Sequence, residues 1–135
     1  MEAEYRAAAL AVRDLLARAG DDPTVLGAGE VTHADVRACL LNLEATYLVR
    51  MFAVFEEALR DVRRVVYLKA GTIHAYSLIQ QCAARQGVRF DDLDNAHQVR
   101  DYRNTIVHGG DATPVPLPQA RQWLCKFFGW MPPKW

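Results

Sequence analysis

Leu41-Asn42-Leu43-Glu44-Ala45-Thr46-Tyr47-Leu48-Val49-Arg50-Met51-Phe52-Ala53-Val54-Phe55-Glu56-Glu57-Ala58-Leu59-Arg60 sets the fold class of this chain. Its apolar residues return at spacings of three and four, the period of a helix, and do not alternate as in a half-buried strand. Followed outward, Val36, Leu40, Leu43, Tyr47, Met51, Val54, Ala58, Val62 and Val65 make one stripe. Leu41, Leu48, Phe52, Phe55, Leu59 and Val66 make a second beside it. An apolar face that wide packs against more than one helix. Thr32 with Asp35 three residues later resembles a capping arrangement at the start, and the pattern runs on to about Lys69. A helix of that length would span about 50 Å at roughly 1.5 Å per residue, so it must bend or project from a bundle. Glu44 interrupts the second stripe and is read as a residue at its edge rather than as an acid partner for Arg103.

Before this segment, residues 2–19 carry Tyr5, Ala8, Leu10, Val12, Leu15 and Leu16 in a helical pattern that stops at Gly20-Asp21-Asp22-Pro23. Val25 to Val31, with Gly27 and Gly29, reads as a loop. After it, Gly71-Thr72 opens a third helix with Ile73, Tyr76, Ile79, Gln80 and Ala83 along one side, ending at Gly87. Val88-Arg89-Phe90 then turns into a fourth helix from Asp92 to His108, with Asp91 and Asp92 at its N-terminus, where carboxylates suit the dipole. Pro114, Pro116 and Pro118 make an extended connector. The last helix, about Gln119 to Phe128, presents Ala120, Trp123, Leu124 and Phe127 on one face. A Pro- and Trp-rich tail, residues 129–135, is apolar enough to pack on the bundle or on a partner. The expectation is an all-α bundle of about five helices with a long second helix.

At 135 residues the chain is expected to form one domain, residues 1–135, with its core within about 33–128. Lys+Arg and Asp+Glu are both 16, so no global field steers the protein toward nucleic acid, and RNA affinity requires a local patch. Arg outnumbers Lys 13 to 3, a bias that suits bidentate phosphate recognition but that a GC-rich genome also produces. Cys39, Cys82 and Cys125 are odd in number, far apart and flanked by apolar residues, and they read as buried cytosolic thiols. No charged segment followed by an apolar core opens the chain, and no apolar run approaches the ~18 residues of a membrane span. A soluble, cytoplasmic protein is expected, with no membrane partner.

The chemistry concentrates in Arg103-Asn104-Thr105-Ile106-Val107-His108-Gly109-Gly110. Leu93, Ala96, Val99, Tyr102 and Ile106 form the apolar face of the fourth helix, and Arg103 projects from its middle. A buried guanidinium without a partner costs several kcal/mol, so it must meet a carboxylate, a phosphate or a wet seam between helices. Five residues on, at about 140° around the helix, His108 does not share its direction. Gly109 or Gly110 can take positive φ and end the helix, which frees His108 to swing toward the Arg or across to another subunit. An Arg that clamps phosphate beside a His that exchanges protons is a minimal toolkit for RNA cleavage. Asn104 shares a sector with His97, Asp101 and His108. His97 and Asp101 lack established metal-ligand spacing, so no metal and no cofactor are expected. The Arg60, Arg63, Arg64 and Lys69 group follows Glu56, Glu57 and Asp61 and reads as a solvated, salt-bridged face. Neither a nucleophile turn nor a Gly-rich phosphate loop is present.

Arg103 to His108 resembles the R-x(4–6)-H signature of the HEPN domain, including the polar residue that often follows the Arg, here Asn104. The helix Leu41–Arg60 is similar to the long, Glu- and aromatic-bearing early helix of prokaryotic HEPN proteins. The resemblance covers roughly residues 33–128 as a helix pattern, and Arg103, Asn104 and His108 as matched positions. It implies a metal-independent endoribonuclease that works as a homodimer and leaves a 2′,3′-cyclic phosphate and a free 5′-OH. It also implies a toxin of a toxin–antitoxin or phage-defence system, with a separate antitoxin. Gly110 stands where one branch of the family carries a Tyr, so control by modification of that Tyr is not implied. A non-enzymatic reading remains open, in which a helical dimer binds nucleotide, RNA or a protein without cleavage, as does that of a helical scaffold docking through its tail.

Overall fold

The computed structural model describes residues 2–27 and 29–133, and all regular structure among them is helical. Five α-helices follow one another: α1 (Glu2–Asp21), α2 (His33–Val65), α3 (Ala75–Gln86), α4 (Phe90–His108) and α5 (Leu117–Phe128), with a 3₁₀ turn at Pro23–Leu26. The all-α expectation holds, with the second helix the longest at 33 residues. The chain forms two compact units, Met1–Tyr47 and Leu48–Trp135.

In the first unit α1 extends two residues past its expected end, and the 3₁₀ turn replaces the first part of the expected loop. Asp22 causes this by accepting from the backbone N–H of Thr24 at 3.0 Å and from its hydroxyl at 2.6 Å, which closes a tight turn. Thr32 and Asp35 cap α2 reciprocally: Asp35 accepts from the Thr32 backbone N–H and hydroxyl, and Asp35 N–H donates to Thr32 Oγ1. Glu44 accepts from the Tyr5 hydroxyl at 2.9 Å, and the Tyr5 ring packs on Tyr47 with centroids 5.1 Å apart. The polar interruption of the apolar stripe is thus answered by a tyrosine of α1.

The second unit is organised around Leu48, Phe52, Phe55, Leu59 and Val62 of α2. Leu78, Ile79, Cys82 and Ala83 of α3, Ala96 and Val99 of α4, and Ala120, Leu124 and Phe127 of α5 close the core, with Val115 and Met131. Of the two stripes on α2, the one through Leu48, Phe52, Phe55 and Leu59 is buried here, while Val54 and Val65 stay exposed. On α3 the expected Ile79 and Ala83 are buried, but Leu78 and Cys82 are inside with them and Tyr76 is exposed. The tail folds back as far as described, with Met131 in the core and Trp130 Nε1 donating to Asp92 at 3.0 Å. Lys134 and Trp135 lie outside the described residues.

Helix α2 ends at Val65 rather than near Lys69, and α3 begins at Ala75 rather than at Gly71-Thr72. Leu68, three residues past the helix end, takes a left-handed φ of 51°, and the Lys69 N–H turns back to the Arg63 carbonyl at 3.1 Å. One Arg63 terminal nitrogen then donates to the carbonyls of Lys69, Ala70 and Gly71, at 3.2, 3.1 and 2.8 Å. A cation read as part of a solvated face therefore serves as the clasp of the α2–α3 loop. Only Cys82 is a buried thiol, with burial pushing its pKa up to about 11; Cys39 and Cys125 are exposed, against the expectation of three buried cysteines. Apolar neighbours in sequence occupy other helical directions and do not cover them.

A further correction concerns α2. An 18-residue window of it reaches a mean hydropathy of 1.4, so by length and composition it is apolar enough to cross a membrane. Isolated polar residues break a contiguous-run count without lowering the average much. Mostly buried core helices meet the same criterion, but only 22% of this window is buried, although α2 supplies five residues to the core of the second unit.

Candidate functional site

A cleft of about 460 Å³ opens in the second unit. It is lined by Glu56 and Arg60 of α2, by the segment from Thr72 to Tyr76 that leads into α3, and by Arg100, Arg103 and Asn104 of α4. Each element delivers its side chains by local rules. Glu56 and Arg60 are one helical turn apart and form an ion pair, as do the neighbouring Arg100 and Asp101. Arg100 and Arg103 are three apart and point to one side of α4.

Arg103 occupies the position expected for it. It is half-buried beside Tyr102 and Ile106, and its guanidinium carbon lies 5.7 Å from the centroid of the Phe52 ring. One terminal nitrogen donates to Asn104 Oδ1 at 3.0 Å. Its Nε is buried without a hydrogen-bond partner. The cation–π contact is worth about 0.5–2 kcal/mol, whereas stranding a buried charged donor costs about 1–3 kcal/mol or more. The Arg is held in place but not satisfied. Glu56, the one carboxylate among the lining residues, is paired with Arg60.

Asn104 joins Arg103 in the cleft; His108 does not line it. As the last residue of α4, His108 is exposed. Gly109 and Gly110 follow at φ of 82° and 140°, and Gly109 N–H closes the helix on the Thr105 carbonyl at 2.9 Å. A Cβ at Gly110 would stand 3.3 Å from Thr105 Oγ1, so the chain turns tightly against its own helix there. The double glycine terminates α4 as expected, and the imidazole is left pointing to solvent.

Arg60, His74, Tyr76 and Arg100 were not singled out from sequence as site residues, yet they line the cleft. Tyr76 stacks with His97 at 4.7 Å between centroids, and the Arg100 guanidinium lies 4.7 Å from the same ring. Arg100 approaches His97 Nδ1 at 3.0 Å, and the Gln80 side-chain amide lies 3.1 Å from Nε2. Arg can only donate, so Nδ1 is the acceptor; the neutral ring then carries its proton on Nε2, which requires the Gln80 amide to turn its oxygen toward it. Burial, followed by the Arg100 charge, holds the His97 pKa below its usual value.

This depression predicts a pH effect on stability. Above about pH 7.5 the ring is neutral in both folded and unfolded chains and contributes no pH dependence. As pH falls below that value the unfolded chain takes up the proton first, so stability declines. Urea midpoints between pH 7.5 and 5.5 should fall, and His97→Gln should flatten the profile. An equally steep profile in that variant would rule His97 out as the source.

Compared with family models, with curated proteins and with solved structures, the chain matches none.

Proposed function

We propose that the protein is a metal-independent endoribonuclease in which Arg103 grips phosphate, Asn104 orients it and His108 exchanges protons. This carries forward the HEPN-like motif. The supporting observation is that Arg103 is fixed on Phe52 and bonded to a neutral amide rather than to an acid, in a cleft shared with two further arginines. In the reaction the ribose 2′-oxygen attacks the adjacent phosphorus and the bond to the 5′-oxygen breaks. A base takes the 2′-OH proton, an acid returns one to the leaving 5′-oxygen, and a cation stabilises the phosphorane. The products are a 2′,3′-cyclic phosphate and a 5′-OH end. One chain offers one motif His, and His108 lies at an exposed helix end. A homodimer that brings the α4 ends together supplies both imidazoles. The setting implied by the motif is an intracellular toxin or phage-defence factor held in check by an antitoxin protein.

The position of His108 outside the cleft favours a second reading, a nucleotide- or RNA-binding dimer that does not cleave. Incubation with RNA in chelator separates the two. The ribonuclease reading expects cleavage with cyclic phosphate ends. Intact RNA with or without divalent cations, together with salt-sensitive binding, replaces it by the second.

A further inference from the structure

We propose that the cleft is a phosphoryl-binding site whose anion is held by Arg103 together with the backbone N–H groups that open α3, and that Glu56 competes internally with that anion. The proposal rests on the phosphate-gripping role given to Arg103 but not on cleavage. It adds the start of α3, Arg60, Arg100 and Glu56, none of which belongs to the R-x4-H motif.

The charges come first. Three guanidinium groups and one carboxylate line the cleft. Glu56 is paired with Arg60 and Asp101 with Arg100, which leaves the charge of Arg103 without a counter-ion among the lining residues. Its Nε, buried and unpartnered, is a donor lacking its acceptor. Phosphoryl oxygens suit the Arg103 guanidinium because they accept from such a group in its plane.

The start of α3 supplies the second half. His74 is the N-cap residue, its side chain makes no capping hydrogen bond, and the first turn holds no acid. The first backbone bond there runs from Leu78 N–H to the His74 carbonyl, so the N–H groups of Ala75, Tyr76 and Ser77 have no helical acceptor. Two of these three residues line the cleft. A helix start carries about half a positive charge, and aligned N–H groups there favour phosphate. The N-caps of α4 and α5, Arg89 and Pro116, likewise make no side-chain capping bond, but only the start of α3 lines the cleft with Arg103, a guanidinium that has no counter-ion there. The volume of about 460 Å³ falls in the range of roughly 300–1,000 Å³ typical of small-ligand sites.

The phosphoryl group can belong to an internal phosphodiester of RNA or to the terminal phosphate of a free nucleotide. Titration of the full chain, followed by NMR of arginine Nε–H and backbone amide signals, distinguishes them. The probes are inorganic phosphate, adenosine 5′-monophosphate and a short oligodeoxynucleotide, which lacks the 2′-OH and resists cleavage. Signals of Arg103 Nε–H, Ala75 and Tyr76 are expected to shift together and saturably. Tighter binding of the oligonucleotide identifies the diester as the ligand, and tighter binding of the mononucleotide identifies the terminal phosphate. Arg103→Lys should weaken binding about tenfold by removing the planar fork. Glu56→Gln should strengthen it several-fold by releasing Arg60 and removing the repelling carboxylate. This variant keeps the test valid if Arg103→Lys folds poorly. The proposal is overturned if none of the probes moves the three signals, or if Glu56→Gln binds no more tightly than the wild type. Saturable binding without RNA cleavage would instead refute the ribonuclease reading and leave this site standing.

Discussion

Replacing His108 with Ala is expected to lower RNA cleavage by about 10²–10⁴-fold, the usual loss when a general acid or base is removed. The fold should be untouched, because His108 is exposed at the end of α4 and surface substitutions of this kind usually change stability by no more than about 0.5 kcal/mol. Circular dichroism and the urea midpoint provide that control. Arg103→Ala should lose cleavage to a similar extent by removing the cation that faces the phosphorane. A mixing experiment then tests whether the site spans two chains. If Arg103 of one copy works with His108 of another, mixed dimers of the two variants, which hold one Arg103 and one imidazole, should exceed either variant alone while staying well below the wild type, which holds two of each. Undiminished cleavage by His108→Ala would remove the imidazole from the mechanism.

Phe52→Ala is expected to destabilise the second unit by about 3–5 kcal/mol, enough to leave much of it unfolded. Phe52 is 1% exposed, packs against Phe55 at 5.8 Å between ring centroids, and belongs to the core cluster. Its other role is as the platform beneath the Arg103 guanidinium. Phe52→Leu separates the two functions: it retains much of the apolar volume and removes the aromatic face, forfeiting about 0.5–2 kcal/mol of cation–π attraction. Anion binding by that variant should therefore weaken more than its fold does. Urea unfolding of Phe52→Ala with a loss below about 1 kcal/mol would contradict the core assignment.

The helices of this chain were legible because their signals are local. The i, i+3, i+4 pattern of α2, the Thr32–Asp35 cap and the glycines after His108 each concern residues within a turn or two of one another. Helix ends were less so. The α2–α3 junction depends on Arg63 reaching three loop carbonyls and on Leu68 adopting positive φ, and neither choice leaves a mark in hydropathy. Arg103 was found because a cation on an apolar face is a local contradiction. Arg60 was passed over because its pairing with Glu56 four residues earlier looks the same on a solvated helix as at the rim of a cleft.

The amino-acid order by itself determined that the chain is helical, where most helices lie, and that Arg103 is a guanidinium placed among apolar residues. Each of these follows from backbone periodicity and the chemistry of adjacent side chains. Tertiary structure alone decided which stripe of α2 is buried in the second unit, which cysteine is shielded, and that Arg60, Arg100 and the open start of α3 face one cleft with Arg103 while His108 stands outside it. Those outcomes depend on packing between segments tens of residues apart, where burial and charge are set by neighbours that the local sequence does not contain.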